Sequence, residues 1–216
     1  MAFFVSSPYY YLVQESFLML FLHVLIKSFI HSFIHMILNI IQYNTGMGTY
    51  NFLDTDQIIE SATSLKITQI FESEGEEAFR TIEAQILDSV HAYVRCVVST
   101  GGGIVTRMQN WSKLQTGIVI WLDVEPSVIF KRIQLQGTDR PLLQTEDPLQ
   151  TLEDLLEVRR EKYEQGDLRV VVTEEMDEEM VADEVIKMMH DFIDDNPPAW
   201  RTAKAKAQAE GLDWVQ

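Results

Sequence analysis

Short apolar runs that alternate with helix-like segments constrain the fold of this chain more than any other feature of its sequence. Four such runs, each bounded by turn-forming residues, lie near Tyr50–Leu53, Tyr93–Ser99, Gly117–Leu122 and Leu168–Val172. The segments between them carry apolar residues at helical spacing. Alternation of this kind predicts a parallel sheet with helices on both faces. We therefore expect one three-layer α/β domain.

The predicted helices begin at capping residues, at acidic first turns or at a proline. They are a short helix capped by Asp56 and ending near Ser61, a longer one over Glu74–Ser89, one that opens at Pro126 and ends near Leu135, one over Leu149–Glu164, and a last one with an apolar stripe from Val181 to Phe192. Between the third and fourth helices, Gln136–Pro148 is polar and is predicted to be a mobile loop.

The run Ser99-Thr100-Gly101-Gly102-Gly103 follows the second predicted strand and opens a loop with almost no side chains. Glycine presents its N–H group with no Cβ in the way, so this loop suits a bound hydroxylated or anionic group. A tight strand-to-helix turn is the structural alternative. Two carboxylates, Asp54 and Asp56, follow the preceding strand, and they too have an ordinary explanation as helix caps.

Further motifs accompany the glycine run in a fixed order along the chain. They are Asn51–Asp56, Gly75–Glu83, the glycine run itself, Trp121–Asp123, Arg140–Leu143 and Arg159–Tyr163. In that order they closely resemble shikimate kinase, a small member of the nucleoside monophosphate kinase group of P-loop folds. The resemblance covers roughly residues 46 to 191. It implies a P-loop kinase-like fold with five parallel strands, and phosphorylation of the 3-hydroxyl of shikimate by ATP on the route to aromatic amino acids.

The resemblance assigns the substrate side of the site to matching residues of this chain. Asp56 matches the residue that accepts a hydrogen bond from the substrate 3-hydroxyl and acts as its base. Arg80 and Arg159 match the pair that grips the shikimate carboxylate, because guanidinium forks form bidentate bonds with carboxylates. Gly101, Gly102 and Gly103 match the backbone wall against the substrate ring. Glu83 is placed to orient Arg80 from one helical turn away.

The nucleotide side is assigned in the same way. Asp54 matches the aspartate that helps to organise Mg²⁺. Arg140 matches the lid arginine that stabilises charge on the transferring phosphoryl group, and Arg132 resembles an arginine on the adenine side. Mg²⁺ and ATP are therefore the cofactors expected of the family.

The phosphate-binding motif G-x-x-x-x-G-K-[ST], which the family carries before the paired aspartates, is absent from the sequence. Before Asp54 the only glycines are Gly46 and Gly48, and the only lysine is Lys27. We therefore expect poor ATP binding and little or no kinase activity in the chain as written. The central first strand of the fold is expected to be missing or replaced, and part of the apolar N-terminus can fill its place. A non-catalytic shikimate-binding or regulatory protein is the alternative, and a membrane-anchored interaction protein is a third.

Composition divides the chain and limits its partners. We divide it into an atypical apolar segment (1–45), a shikimate kinase-like domain (46–195) and a tail (196–216). A formal net charge of -16 argues against nucleic acid as a partner. The single cysteine, Cys96, reads as a small core residue, which fits a reducing compartment. A monomer is expected.

The apolar run over 17–41 has three interpretations. It is long enough to span a bilayer, but Lys27 and three histidines make it a poor spanning segment. It has no arginine, so it does not resemble a transit peptide, and a plastid location follows only from the pathway. The favoured interpretation is a replaced first exon; a membrane anchor and a divergent segment that packs into the fold are the others.

Overall fold

Five parallel strands form a single sheet in the structure, a computed structural model that describes residues 17–22, 51–93, 96–136 and 145–196. The strands are β1 (Phe17–Leu22), β2 (Asn51–Asp54), β3 (Cys96–Gly101), β4 (Gly117–Val124) and β5 (Leu168–Val172). Their order across the sheet is β2-β3-β1-β4-β5, and each neighbouring pair is parallel. The predicted parallel α/β architecture is confirmed.

The central position of the sheet is occupied by β1, which comes from the apolar N-terminal segment. On one side β1 pairs with β3, from Leu18 opposite Val97 to Leu22 opposite Gly101. On the other side it pairs along its whole length with β4. The central strand, predicted as missing or replaced, is therefore replaced by Phe17–Leu22. Within the described ranges β1 is the one strand that links β3 to β4, and it gives both of them ladder partners.

The rest of the apolar run over 17–41, and the predicted tail from residue 197 onward, lie outside the described residues. Among the helices that the structure does describe, none has both the length and the apolar character that a bilayer crossing requires. The domain limits and the membrane alternative remain predictions.

The described parts of the chain contain six α-helices and one short 3₁₀ turn. They are α1 (Thr55–Thr63), α2 (Ile67–Val90), the 3₁₀ turn Ile104–Thr106, α3 (Met108–Leu114), α4 (Pro126–Gln136), α5 (Pro148–Tyr163) and α6 (Glu178–Asp195). The predictions for α4, α5 and α6 are confirmed to within a few residues. The 3₁₀ turn and α3 were not predicted, and the polar loop between α4 and α5 lies largely outside the described residues.

Two details of the first helices differ from the prediction. The cap of α1 is Asp54, whose Oδ1 accepts from the backbone N–H groups of Asp56 (2.9 Å) and Gln57 (3.2 Å), so the expectation that Asp56 is the cap was wrong. The long helix α2 begins at Ile67, not at Glu74. Gly75 breaks it internally with a φ of 84°, a conformation that glycine adopts without steric cost. The sequence pattern detects only the half of α2 that follows this break.

The core lies on both faces of the inner part of the sheet, so β3 and β4 are continuously buried apolar runs, whereas the edge strand β5 alternates buried and exposed residues. Val97 and Val98 of β3 and Val119 and Ile120 of β4 are fully buried. Cys96 is also buried, in agreement with its interpretation as a core residue. A smaller cluster of Ile59, Ile70 and Phe79 joins α1 to α2, and thereby fixes the helix that carries the candidate arginine.

Candidate functional site

The candidate site lies at the carboxyl ends of β2 and β3, where ligands bind in open α/β sheets. Gly101 ends β3, and Asp56 lies in the first turn of α1, just after β2. A Cβ placed on Gly101 would lie 3.2 Å from Glu83 Oε1 and 3.8 Å from Asp56 Oδ1. Three residues that are far apart in the sequence therefore meet at this point.

Arg80 is held in the site by two carboxylates of its own helix. Its Nη1 donates to Glu83 Oε2 (2.9 Å), and its Nε and Nη2 donate to Glu76 Oε1 (3.3 and 3.0 Å). Its Cζ also lies 5.1 Å from the centroid of the Phe79 ring. The side chain is 8% exposed. Burial opposes its charge, but Glu83 and Glu76 together keep the pKa of Arg80 above its ordinary value.

The guanidinium of Arg80 lies directly against the glycine loop. A Cβ on Gly103 would overlap the Cζ and both terminal nitrogens of Arg80. The backbone of Gly103 is in an ordinary right-handed conformation (φ -84°, ψ -12°), so this glycine is required for space and not for an unusual dihedral angle. The space left by the missing side chain of Gly103 is therefore occupied by the Arg80 guanidinium of the protein itself.

Glu83 is a fully buried carboxyl group. Its pKa is raised to about 7, and burial is the largest cause. Asp56 adds to the rise, whereas Arg80 and, to a lesser degree, Arg159 oppose it. One oxygen, Oε2, accepts from Arg80, whereas Oε1 has no hydrogen-bond partner among the described residues. That oxygen faces the Gly101 and Asp56 side of the site, where a ligand hydroxyl would satisfy it.

Helix α5 brings a second arginine, Arg159, to the same place. Arg159 is buried, and its charge acts on both Glu83 and Tyr163. Tyr163, one turn further along α5, donates its hydroxyl hydrogen to the carbonyl of Gly102 (2.7 Å). The structure therefore gathers Asp56, Arg80, Arg159 and the three glycines of the run around one point.

Asp54, the residue assigned to Mg²⁺, ends β2 next to the glycine-run strand. It stands opposite Ser99 in the β2–β3 register, and its Oδ1 caps α1. The hydroxyl oxygens of Thr55, Ser99 and Thr100 are buried and have no hydrogen-bond partner in the described part of the chain. A carboxylate oxygen is a ligand that Mg²⁺ prefers, so Asp54 fits the assigned role by its chemistry. No group of three or more His, Cys, Asp or Glu side chains suited to a metal occurs among the described residues.

Of the two arginines assigned to the nucleotide, the structure describes only Arg132. Arg132, on α4, donates from Nη2 to the carbonyl of Met176 (3.2 Å). Burial lowers its pKa, against the opposing effect of Glu178 and Glu174. Arg140 lies outside the described residues, so its assignment remains a prediction.

Two contributors to the site were not assigned from the sequence. Glu76 is four residues before Arg80, and Tyr163 is four residues after Arg159, so each lies on the same helix face as its arginine. This four-residue spacing is the sequence feature that could have assigned Glu76 and Tyr163 to the site. Nothing in the sequence indicated that the hydroxyl of Tyr163 would bond to the glycine loop.

The strand order, with the first strand central and the site at the carboxyl ends of the strands, defines an α/β protein of the P-loop kinase type. A family profile described as shikimate kinase matches residues 46–190. The chain belongs to the shikimate kinase family.

Individual relatives and solved structures agree with that assignment. A shikimate kinase of Synechococcus elongatus is 46% identical over 140 residues, which cover 65% of this chain and 73% of that protein. A shikimate kinase of a Nostoc species is 45% identical over 138 residues, covering 64% and 76% of the two chains. A structure of shikimate kinase from Acinetobacter baumannii in complex with shikimate covers 80% of this chain and 91% of its own, with 29% identity and a TM-score of 0.67. A Bacteroides thetaiotaomicron shikimate kinase structure has a TM-score of 0.65 at 23% identity, covers 79% of this chain and 97% of its own, and supports the fold.

Proposed function

We propose that this chain binds shikimate at the site formed by Asp56, Arg80, Arg159 and the glycine run, and that as written it has little or no kinase activity. The observation that carries the proposal is the buried Arg80, fixed between Glu83 and Gly103. A buried arginine with its fork already oriented loses little conformational entropy when a carboxylate binds. The A. baumannii relative, solved with shikimate, supports the choice of ligand.

In this proposal the two arginines bind the carboxylate of shikimate, and the carboxylates on the opposite side bind its hydroxyls. Arg80 and Arg159 supply charge-assisted hydrogen bonds to the acid. Asp56 accepts a hydrogen bond from the 3-hydroxyl and is the base for it in the family reaction. Glu83 Oε1 completes the hydroxyl side, because it is a buried acceptor with an unused lone pair.

The reaction of the family is transfer of a phosphoryl group from ATP to the 3-hydroxyl. Asp54 would hold Mg²⁺, which when bound neutralises charge on the phosphates. Preorganised donors around the phosphates supply much of the rate in phosphoryl transfer, and loss of one such donor costs roughly 10²–10³. The sequence contains no Gly-Lys pair of the phosphate-binding motif, which is why we propose that turnover is lost while shikimate binding remains.

The alternative is a non-catalytic shikimate-binding or regulatory protein, which would use the same site and is favoured by the same missing phosphate-binding motif. Both proposals predict that calorimetry detects shikimate binding in the absence of nucleotide. Arg80→Ala should weaken that binding roughly 10- to 100-fold, the loss of charge-assisted hydrogen bonds. Arg160→Ala is the matched control, because its side chain leaves α5 about 100° away from that of Arg159.

Three results separate the outcomes. Binding of shikimate but not of ATP supports the proposed site and favours the non-catalytic alternative. Binding of neither compound removes the shikimate proposal and its alternative together. Phosphorylation of shikimate by this chain with ATP and Mg²⁺, measured in a coupled ADP-release assay, would show that the missing motif is dispensable and would refute the proposed loss of activity.

We also propose a plastid location and a monomeric state. The cyanobacterial origin of the relatives supports the plastid proposal, since plastids share that ancestry. A fluorescent fusion of the full chain tests the location, and light scattering of the purified protein tests the monomer.

A further inference from the structure

We propose that the hydroxyl of Tyr163 is a positioning group for the carboxylate site, because it ties the glycine loop to Arg159. The inference rests on the proposed binding of shikimate and assigns a role to a residue that does not itself contact the ligand.

The ring of Tyr163 is held in a single place. It is fully buried and stacks on Trp121 of β4, with ring centroids 5.5 Å apart and an interplanar angle of 21°. Trp121 is itself buried, and the Arg169 Cζ lies 4.9 Å from its ring centroid. Because the aromatic stack is buried against β4, the position of the Tyr163 hydroxyl is fixed by the core and not by the ligand.

The hydroxyl has partners on both sides of the site. It donates to the carbonyl of Gly102 at 2.7 Å, and Arg159, one helical turn earlier on α5, is near enough to lower the pKa of Tyr163 against the larger effect of burial. Burial raises the pKa of Tyr163 to about 12, so the hydroxyl stays neutral and remains a donor at physiological pH. The hydrogen bond to Gly102 would be lost if the residue were a phenylalanine, although the ring would still fill the same space.

This arrangement relates the two arginines to each other through the backbone. Tyr163 holds Gly102, and the next residue, Gly103, lies against the guanidinium of Arg80. Arg159 lies one turn before Tyr163 on the same helix, and its charge acts on that hydroxyl. The hydroxyl thus helps to fix the glycine loop beside Arg80 relative to Arg159, in addition to the Glu76 and Glu83 contacts that hold Arg80 itself. A carboxylate that is gripped by two forks requires the separation of the two guanidinium groups to be held to a fraction of an ångström.

The test is a double-mutant cycle on the full chain, with shikimate binding measured by calorimetry. Tyr163→Phe should raise the Kd for shikimate about tenfold, and the same substitution in an Arg159→Ala background should change the Kd less than twofold. Tyr93→Phe, at a half-exposed tyrosine, is the matched control and should leave the Kd unchanged. A purely structural role for the hydroxyl would weaken binding by the same factor in both backgrounds.

Several outcomes would overturn the inference. If the unmodified chain binds shikimate and Tyr163→Phe binds it equally well, the hydroxyl has no positioning role, while the proposed function stands. Equal losses in the two backgrounds would show that the hydroxyl does not act through Arg159. Failure of Tyr163→Phe to give a folded near-ultraviolet circular dichroism spectrum would make the hydroxyl a stability element instead. If the unmodified chain does not bind shikimate, the proposed function fails first and the inference fails with it.

Discussion

Gly103→Ala tests the close contact between the glycine loop and the buried arginine. The new methyl group would overlap the guanidinium of Arg80, while the backbone angles of residue 103 accept alanine without strain. Arg80 must therefore move and give up its 2.9 Å contact with Glu83. Loss of one partner from a buried ion pair costs about 3–5 kcal/mol. The carboxyl of Glu83, with a pKa of about 7, can take up a proton, so we expect the lower end, about 3 kcal/mol.

The assay is thermal unfolding followed by tryptophan fluorescence, to which the buried residues Trp111 and Trp121 contribute. A loss of about 3 kcal/mol corresponds to a fall of roughly 6–12 °C in the midpoint of thermal unfolding for a chain of this size. Gly101→Ala is the comparison, because its methyl group would lie 3.2 Å from the nearest atom, Glu83 Oε1, and we expect a smaller cost of about 1 kcal/mol.

The decisive measurement is Gly103→Ala in an Arg80→Ala background. With the guanidinium removed, the methyl group has room, so the second substitution should cost less than about 0.5 kcal/mol and the cycle should show a coupling of about 3 kcal/mol. If the two single effects simply add, the contact between Gly103 and Arg80 does not exist in solution, and the reasoning is refuted.

Three other expectations follow from the structure. Burial raises the pKa of Glu83 from 4.5 to about 7, so the folded state holds a proton that the unfolded chain has lost, and the free energy of unfolding should fall by up to about 3 kcal/mol as pH rises from 4.5 to 7. Urea unfolding at pH 5 and pH 7.5 should show that slope in Glu76→Gln and not in Glu83→Gln; the same slope in both would disprove the assignment. Leu20→Pro removes a backbone N–H from the central strand and should cost at least about 3 kcal/mol. It should abolish the near-ultraviolet circular dichroism signal of the folded protein, whereas Leu20→Val should keep that signal. A folded proline variant would argue against β1 in the sheet. Burial raises the pKa of Cys96 to about 11, so iodoacetamide at pH 8 should modify it only in urea, as read by intact mass, and rapid labelling of the native protein would contradict its burial.

The strands and most helices could be predicted because their patterns are local. β3, β4 and β5 are apolar runs bounded by turn residues, as buried parallel strands are. The start of α2 could not be predicted, since Gly75 interrupts the helical period and reads as a helix breaker. β1 could not be distinguished within the run over 17–41, because most of that run is apolar and only the pairing with β3 and β4 singles out Phe17–Leu22.

In the candidate site, too, contacts within one helix could be predicted from the sequence, whereas contacts between elements could not. Arg80 and Glu83 are one helical turn apart, so their contact could be predicted from spacing and is present at 2.9 Å. The overlap of Arg80 with the position of a Cβ on Gly103 depends on how α2 packs against the loop after β3, which no local pattern encodes. The bond from Tyr163 to Gly102 joins residues 61 apart in the sequence and is equally hidden.

The central place of β1 also has a consequence for how the chain is made. During translation Phe17–Leu22 leaves the ribosome before either of the strands that it must pair with, and β4 follows it by nearly a hundred residues. Until β3 and then β4 have been made, β1 is an apolar strand with unpaired edges, which is the kind of segment that chaperones recognise. The two ladders of β1 can both be complete only after more than half of the chain has been synthesised.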